Sequence, residues 1–231
     1  MFGQGFSAIL YQVSIWVLPV VIAITFHEAA HGWVADRLGD DTARRMGRVT
    51  FNPLRHVDRF GTIILPGLLL LIHSPFVFGY AKPVPVNFGR LHSPKRDMIW
   101  VALAGPAINI ALAVAAGILY HLTPYFSPAI GGWYADTLER ALIINVVLAV
   151  FNMLPIPPLD GGRVLTGLLP RPLAYRFARV ERYGMLVLIA LLFLAPMVGT
   201  QLGIDLNFLG WMLGPPVDFV INAIVVITGN G

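Results

Sequence analysis

The chain has 231 residues, of which 57% are hydrophobic and 12% are charged, and its formal net charge is +4. An average soluble domain carries about 25% charged residues. So few charges cannot cover a water-exposed surface, which argues against a soluble enzyme and against a disordered or fibrous chain. A charge of +4 on so apolar a chain does not form a basic groove for nucleic acid. The composition therefore predicts an all-α polytopic membrane protein, with no nucleic-acid partner and with one integral-membrane domain over residues 1–231.

The apolar runs, in chain order, predict four or five transmembrane helices. Residues 6–26 contain no formal charge, and at about 1.5 Å per residue of helix they are long enough to cross about 30 Å of hydrocarbon. The helical pattern continues beyond this run. The predicted spans are residues 6–35, 98–122, 138–156 and 183–199, with 206–228 as a fifth candidate.

The positions of the basic residues predict the orientation of the chain. Fifteen of the sixteen Lys and Arg residues fall on one side of these predicted spans, and only Arg140 falls on the other side. Because basic loops stay in the cytoplasm, the N-terminus is expected outside a multi-pass protein of the cell membrane. We therefore expect the lipid bilayer to surround the protein.

Residues 61–78 are apolar, but two prolines, a glycine and His73 interrupt them, and both flanks are basic. This pattern predicts a segment that dips into the membrane and returns. The next stretch, 79–86, has β-branched residues and alternating prolines, compatible with an edge strand that could pair with an extended peptide. An ordinary irregular loop is the alternative. We therefore expect a re-entrant or β-hairpin-like segment on the cytoplasmic side over about 61–87.

The chemistry centres on an H-E-x-x-H motif formed by His27, Glu28 and His31. On a helix, positions i and i+4 share a face, so both imidazoles can bind one ion. The glutamate beside them can take a proton from a metal-bound water. The motif directly extends an apolar run, and ionisable groups within a membrane are costly and usually functional. The alternative is a motif near the interface, with its histidines reaching water.

A catalytic zinc usually takes three protein ligands, so a third is expected elsewhere. The carboxylates near apolar sequence are Asp36, Asp160, Asp205 and Asp218. Asp160 stands out because prolines end the third span before it and two glycines follow it, which lets the chain turn back towards the motif. A simple turn aspartate is the alternative for Asp160.

Asn109 lies on the second span, which is rich in small residues. It is a candidate for binding the substrate backbone or the developing oxyanion. A hydrogen bond between helices is an equally good interpretation.

These motifs resemble those of the site-2 protease family of intramembrane zinc metalloproteases. The resemblance covers roughly residues 20–185 and is carried by four elements. They are the H-E-x-x-H helix, the N-x-x-P-x-P-x-L-D-G form that begins at Asn152 and contains Asp160, the sequence Gly105-Pro106-Ala107-Ile108-Asn109, and the stretch 79–87, which is similar to that of compact bacterial members.

The resemblance implies one Zn²⁺ per chain, with His27, His31 and Asp160 as ligands and Glu28 as the general base. It implies an endopeptidase that cleaves single-span membrane proteins or peptides within or near the bilayer, in regulated intramembrane proteolysis. The sequence contains neither the PDZ nor the CBS domain that many members carry. The compact type without these domains is therefore expected.

Two other classes of function remain open at this point. A metal or proton transporter could use the same His, Glu and Asp residues as a relay, but such proteins often show paired repeats with broken helices, and none is apparent here. An inactive membrane scaffold is disfavoured because the whole expected ligand set is present. The sequence does not indicate the oligomeric state.

Overall fold

The computed structural model describes residues 2–71 and 79–231, except for the side chains of residues 2–4, 6 and 70. These residues form helices joined by short loops, and they contain no β-strand. The predicted all-α fold is confirmed. The α-helices are α1 (Phe2–Arg37), α2 (Thr42–Arg45), α3 (Leu65–Leu71), α4 (Pro94–Tyr120), α5 (Pro128–Asn152), α6 (Asp160–Leu168), α7 (Arg171–Ala178), α8 (Glu181–Ile189), α9 (Ala195–Leu202) and α10 (Phe208–Ile227).

Helix α1 ends at a glycine in the left-handed region. Gly39 has a φ of +109°, and the amide of Asp40 donates to the carbonyl of Ala35 at 2.9 Å. This bond closes the last turn, in the pattern that glycine favours at helix C-termini. The chain therefore turns away just after Arg37, which leaves the H-E-x-x-H motif inside the helix rather than at its end.

In the described part of the chain, four helical stretches are long and apolar enough to cross a membrane: Ser7–Arg37, Pro94–Tyr120, Glu181–Leu202 and Phe208–Ile227. They match the first, second and fourth predicted spans and the fifth candidate. Helices α8 and α9 belong to one such stretch and are joined by a π-helical turn, Ala190–Leu194. The chain is therefore a multi-pass membrane protein.

The predicted third span, 138–156, lies largely in α5, which is not among these four stretches. The first half of α5 contains Asp136, Glu139 and Arg140, and the helix ends at Asn152. It ends there because Pro155 disfavours helical backbone in the residue before it. Since α5 packs against both α1 and α4, a crossing at this position stays a prediction.

Small residues bring α4 close to its neighbours. Ala102, Gly105 and Ala113 are all buried on α4, which contacts α1, α5 and α6. On α6, a side chain at Gly167 would collide with Ile99 of α4. Close approach of this kind is how helices pack in lipid, where van der Waals contact replaces the hydrophobic effect. This close packing holds α1 and α6 against α4.

The predicted re-entrant segment is described only at its two ends. Arg59–Ile64 forms a π-helical turn that leads into α3. Residues 72–78, including His73, lie outside the described part of the chain, so the re-entrant path stays a prediction. Residues 79–87 form an irregular loop, which is the alternative to the expected edge strand.

Candidate metal centre

The three expected ligands lie together in the described structure. Nε2 of His27 and Nε2 of His31 are 3.2 Å and 3.3 Å from Oδ2 of Asp160. The side chains are almost fully buried, since the three residues are 6%, 6% and 4% exposed. Oδ2 of Asp160 is buried and accepts no hydrogen bond from any described residue. A buried oxygen without a donor beside two imidazole nitrogens is the arrangement that a cation would satisfy.

Helix geometry places the two histidines, and a tight turn places the aspartate. His27 and His31 are one turn apart on α1, and their ring centroids are 4.7 Å apart. Asp160 is the first residue of α6, directly after the proline-rich turn. A side chain at Gly161 would collide with the Met153 carbonyl, and one at Gly162 would lie 2.7 Å from the Pro157 nitrogen. The glycines therefore let the turn fold back and carry Asp160 to the histidines.

Hydrogen bonds on the far side of each ring determine which nitrogen faces the centre. Nδ1 of His31 is 2.7 Å from the carbonyl oxygen of Val101, and Nδ1 of His27 is 2.6 Å from Oδ1 of Asn109. Both partners are acceptors, so each Nδ1 carries the proton and donates it. The lone pair of each Nε2 is then free for a metal.

Asn109 lies behind His27 and connects three helices. It is fully buried, and its amide nitrogen donates to the carbonyl of Ala23 at 3.2 Å and to Oδ1 of Asn145 at 2.7 Å. Because every polar atom of its side chain has a partner, the geometry favours the bond between helices over the substrate contact. Asn145 was missed in the sequence, although a buried amide in an apolar run could have drawn attention to it.

The other candidate carboxylates have different surroundings. Asp36 pairs with Nε of Arg44 at 3.2 Å. Asp205 accepts hydrogen bonds from the Asn207 amide and the Trp211 indole. Asp218 lies in α10. Among the described residues, the only group of three or more His, Cys, Asp or Glu side chains that could hold a metal ion is the cluster of His27, His31 and Asp160.

The general-base candidate, Glu28, is half-buried on α1 between the two histidines. Its Oε2 accepts a hydrogen bond of 2.7 Å from the backbone amide of Val84. One carboxylate oxygen is therefore held by the loop 79–87. This contact does not involve the other carboxylate oxygen of Glu28, so that oxygen is available to a water at the cluster.

The sequence matches the family profile described as Peptidase family M50 over residues 15–131 and 127–195. The chain belongs to this family. It is 36% identical over 185 residues to "Putative zinc metalloprotease YwhC" of Bacillus subtilis (strain 168), covering 78% of this chain and 80% of that one. It is 28% identical over 187 residues to "Putative zinc metalloprotease Rip2" of Mycolicibacterium smegmatis, covering 79% and 69%. No solved structure gave a significant match.

Membership of the M50 family makes the chain a zinc metalloprotease of the membrane. The family and these relatives imply Zn²⁺ as the cofactor. Two imidazole nitrogens and one carboxylate oxygen are ligands that zinc accepts, and three protein ligands leave a fourth position for water. The residues of the cluster therefore fit the implied metal.

Gly105 of α4 lies directly against the cluster, and its replacement by alanine should weaken zinc binding. The added Cβ would be 2.5 Å from Nε2 of His31 and 2.5 Å from Cε1 of His27, so the rings would have to move. We expect a fall in zinc affinity of roughly 10–100-fold, the range for changes that misplace ligands. Competition with a chromophoric chelator measures this affinity.

Gly132→Ala is the matched control, because a Cβ at this helical glycine meets no atom of the described residues within 4 Å. Thermal unfolding of both variants separates a local effect on the cluster from a general loss of fold. Equal zinc affinity of the Gly105→Ala variant and the wild type would show that no ligand lies against Gly105.

Proposed function

We propose that the chain is an intramembrane zinc endopeptidase that hydrolyses peptide bonds of single-span membrane proteins within or near the bilayer, in regulated intramembrane proteolysis. The supporting observation is the buried cluster of His27, His31 and Asp160, whose two histidines lie on a helix that is long and apolar enough to span a membrane. His27 lies ten residues before Arg37, or about 15 Å along the helix from its basic end. Catalysis at that depth would act on a peptide bond below the membrane surface.

The roles in this proposal follow from the chemistry of each group. His27, His31 and Asp160 would hold the metal. A zinc ion held there would supply Lewis-acid chemistry, which polarises a scissile carbonyl and lowers the pKa of a bound water to about 7. Glu28 would take the proton from that water and then deliver it to the leaving amine.

Further residues would support these roles without touching the substrate. Asn109 and the Val101 carbonyl hold the two histidine rings in the orientation that presents Nε2. A helical substrate must unwind before its carbonyl is accessible, and we place this step beside the loop 79–87.

The basic loops would lie in the cytoplasm with the N-terminus outside, and water would reach the cluster from the cytoplasmic side.

The proposal is tested by reconstituting the purified protein in lipid nanodiscs with a tagged single-span test protein. We expect mass spectrometry to map cleavage within or next to the apolar segment. We also expect a zinc chelator to abolish cleavage and added zinc to restore it. No cleavage by zinc-loaded protein, or cleavage confined to the soluble tags, would contradict the proposal. Zinc flux into liposomes without cleavage would instead support a transporter.

A further inference from the structure

Several backbone amides of the loop 79–87 donate hydrogen bonds to neighbouring segments. The amide of Tyr80 donates to the Gly61 carbonyl at 3.0 Å, and that of Lys82 donates to the His56 carbonyl at 2.9 Å. The amide of Val84 donates to Oε2 of Glu28 at 2.7 Å. Pro83 and Pro85 have no N–H to offer. From residue 80 to residue 84, alternate amides are therefore directed at the protein, and the last of the three reaches the candidate general base.

Arg48 fixes the part of the loop just before Val84. Its Nη2 donates to the carbonyl of Lys82 at 2.6 Å, with Pro83 O at 3.4 Å. Arg48 is only 5% exposed. Within residues 2–71 and 79–231 it forms no ion pair, and its Nε has no hydrogen-bond partner. A buried cation without a carboxylate is costly, and the short bond to the Lys82 carbonyl, with the longer contact to the Pro83 carbonyl, compensates for its burial.

The C-terminal end of the loop is held separately. The amide of Asn87 donates to Oδ2 of Asp40 at 2.6 Å, and Asp40 is fully buried just after α1. Burial by itself raises the pKa of Asp40, but hydrogen bonds from Thr42 and Asn87 outweigh it, and its pKa lies below the usual range. Asp40 is thus ionised at neutral pH and anchors this end independently of Arg48.

We propose that Arg48 and the backbone amide of Val84 together position the carboxylate of Glu28. Arg48 holds the carbonyls of Lys82 and Pro83, so that the next amide meets one oxygen of Glu28 and leaves the other for the attacking water. This inference rests on the proposed function, in which Glu28 is the general base. A small displacement of a catalytic group can lower the rate about 100-fold, so an arginine that never touches the substrate would still control turnover.

Arg48→Met is the first test, because methionine fills similar space and removes the donors. We expect kcat for cleavage to fall roughly 10–100-fold, with KM and zinc content close to those of the wild type. Arg48→Lys keeps one cationic donor and should recover part of kcat. Arg55→Met is the matched control, because Arg55 is exposed in the same segment and its loss changes the net charge equally. An Arg48→Met variant with wild-type kcat would overturn the proposal.

Hydrogen exchange of the Val84 amide is the second test and does not depend on activity. In the wild type this amide should be protected. In Glu28→Ala and Arg48→Met it should lose protection, while the Asn87 amide, bonded to Asp40, keeps it. An unprotected Val84 amide in the wild type, or one still protected in Arg48→Met, would overturn the proposal.

The two tests separate this inference from the proposed function. If the wild type cleaves its substrate and Arg48→Met cleaves it equally fast, only the positioning role fails. If the zinc-loaded wild type does not cleave, the proposed function fails, and with it the role of Glu28 as the base that Arg48 positions. The exchange measurement then still decides whether Glu28 holds the Val84 amide.

Discussion

Glutamine in place of Glu28 should leave the zinc content of the purified protein unchanged and lower kcat for cleavage by about 10²–10⁴-fold, the usual contribution of a general base. Glutamine has the size of glutamate, and its carbonyl oxygen can still accept the Val84 amide, so the loop 79–87 should stay in place. Its amide cannot take a proton from water. The loss should therefore appear in turnover and not in metal binding.

Glu139→Gln is the control for this experiment. Glu139 lies on α5, where it pairs with Arg140 at 3.3 Å, and it does not belong to the cluster. We expect this variant to cleave at the wild-type rate. Initial rates with a single-span substrate and metal analysis of the same samples provide both measurements. A Glu28→Gln variant that keeps wild-type kcat would show that another group takes the proton.

Alanine in place of Asp160 should remove most of the bound zinc. The cluster would then offer two protein ligands instead of the three that catalytic zinc sites usually have. We expect the affinity to fall by more than the roughly 10–100-fold that follows loss of an outer hydrogen-bond partner of a ligand. The measurement is zinc per chain after dialysis against a weak chelator.

Asp205→Ala is the matched control, because Asp205 was an alternative third ligand in the sequence. In the structure it instead accepts bonds from Asn207 and Trp211. We expect this variant to retain wild-type zinc. If Asp160→Ala retained zinc and Asp205→Ala lost it, the proposed assignment of the third ligand would be wrong.

Local sequence spacing was enough to predict part of the centre. His27 and His31 are four residues apart on one helix, so their shared face follows from helix geometry alone. Asp160 required more, since it lies 129 positions after His31. Its selection as a candidate zinc ligand depended on the prolines and glycines around it and on the resemblance to a family. The all-α fold could be predicted because composition and apolar run lengths determine it in a membrane protein.

The supporting contacts could not be predicted, because they depend on backbone atoms and on helix rotation. The Val101 carbonyl and the Val84 amide are backbone groups, which nearly all residues have, so no side chain marks them. The hydrogen-bond partners of Asn109 could be assigned only once the face that α4 turns towards α1 was known. Arg48 was one of several arginines that indicate topology in the sequence. Its burial against the carbonyls of the loop 79–87 depends on tertiary structure.

The most direct test of the account is anomalous diffraction at the zinc edge from crystals of the zinc-loaded protein. The account predicts one strong peak per chain within about 2.0–2.2 Å of Nε2 of His27, Nε2 of His31 and an oxygen of Asp160, the bond lengths typical of zinc. A peak bound by other residues, or no peak at these three side chains, would contradict it.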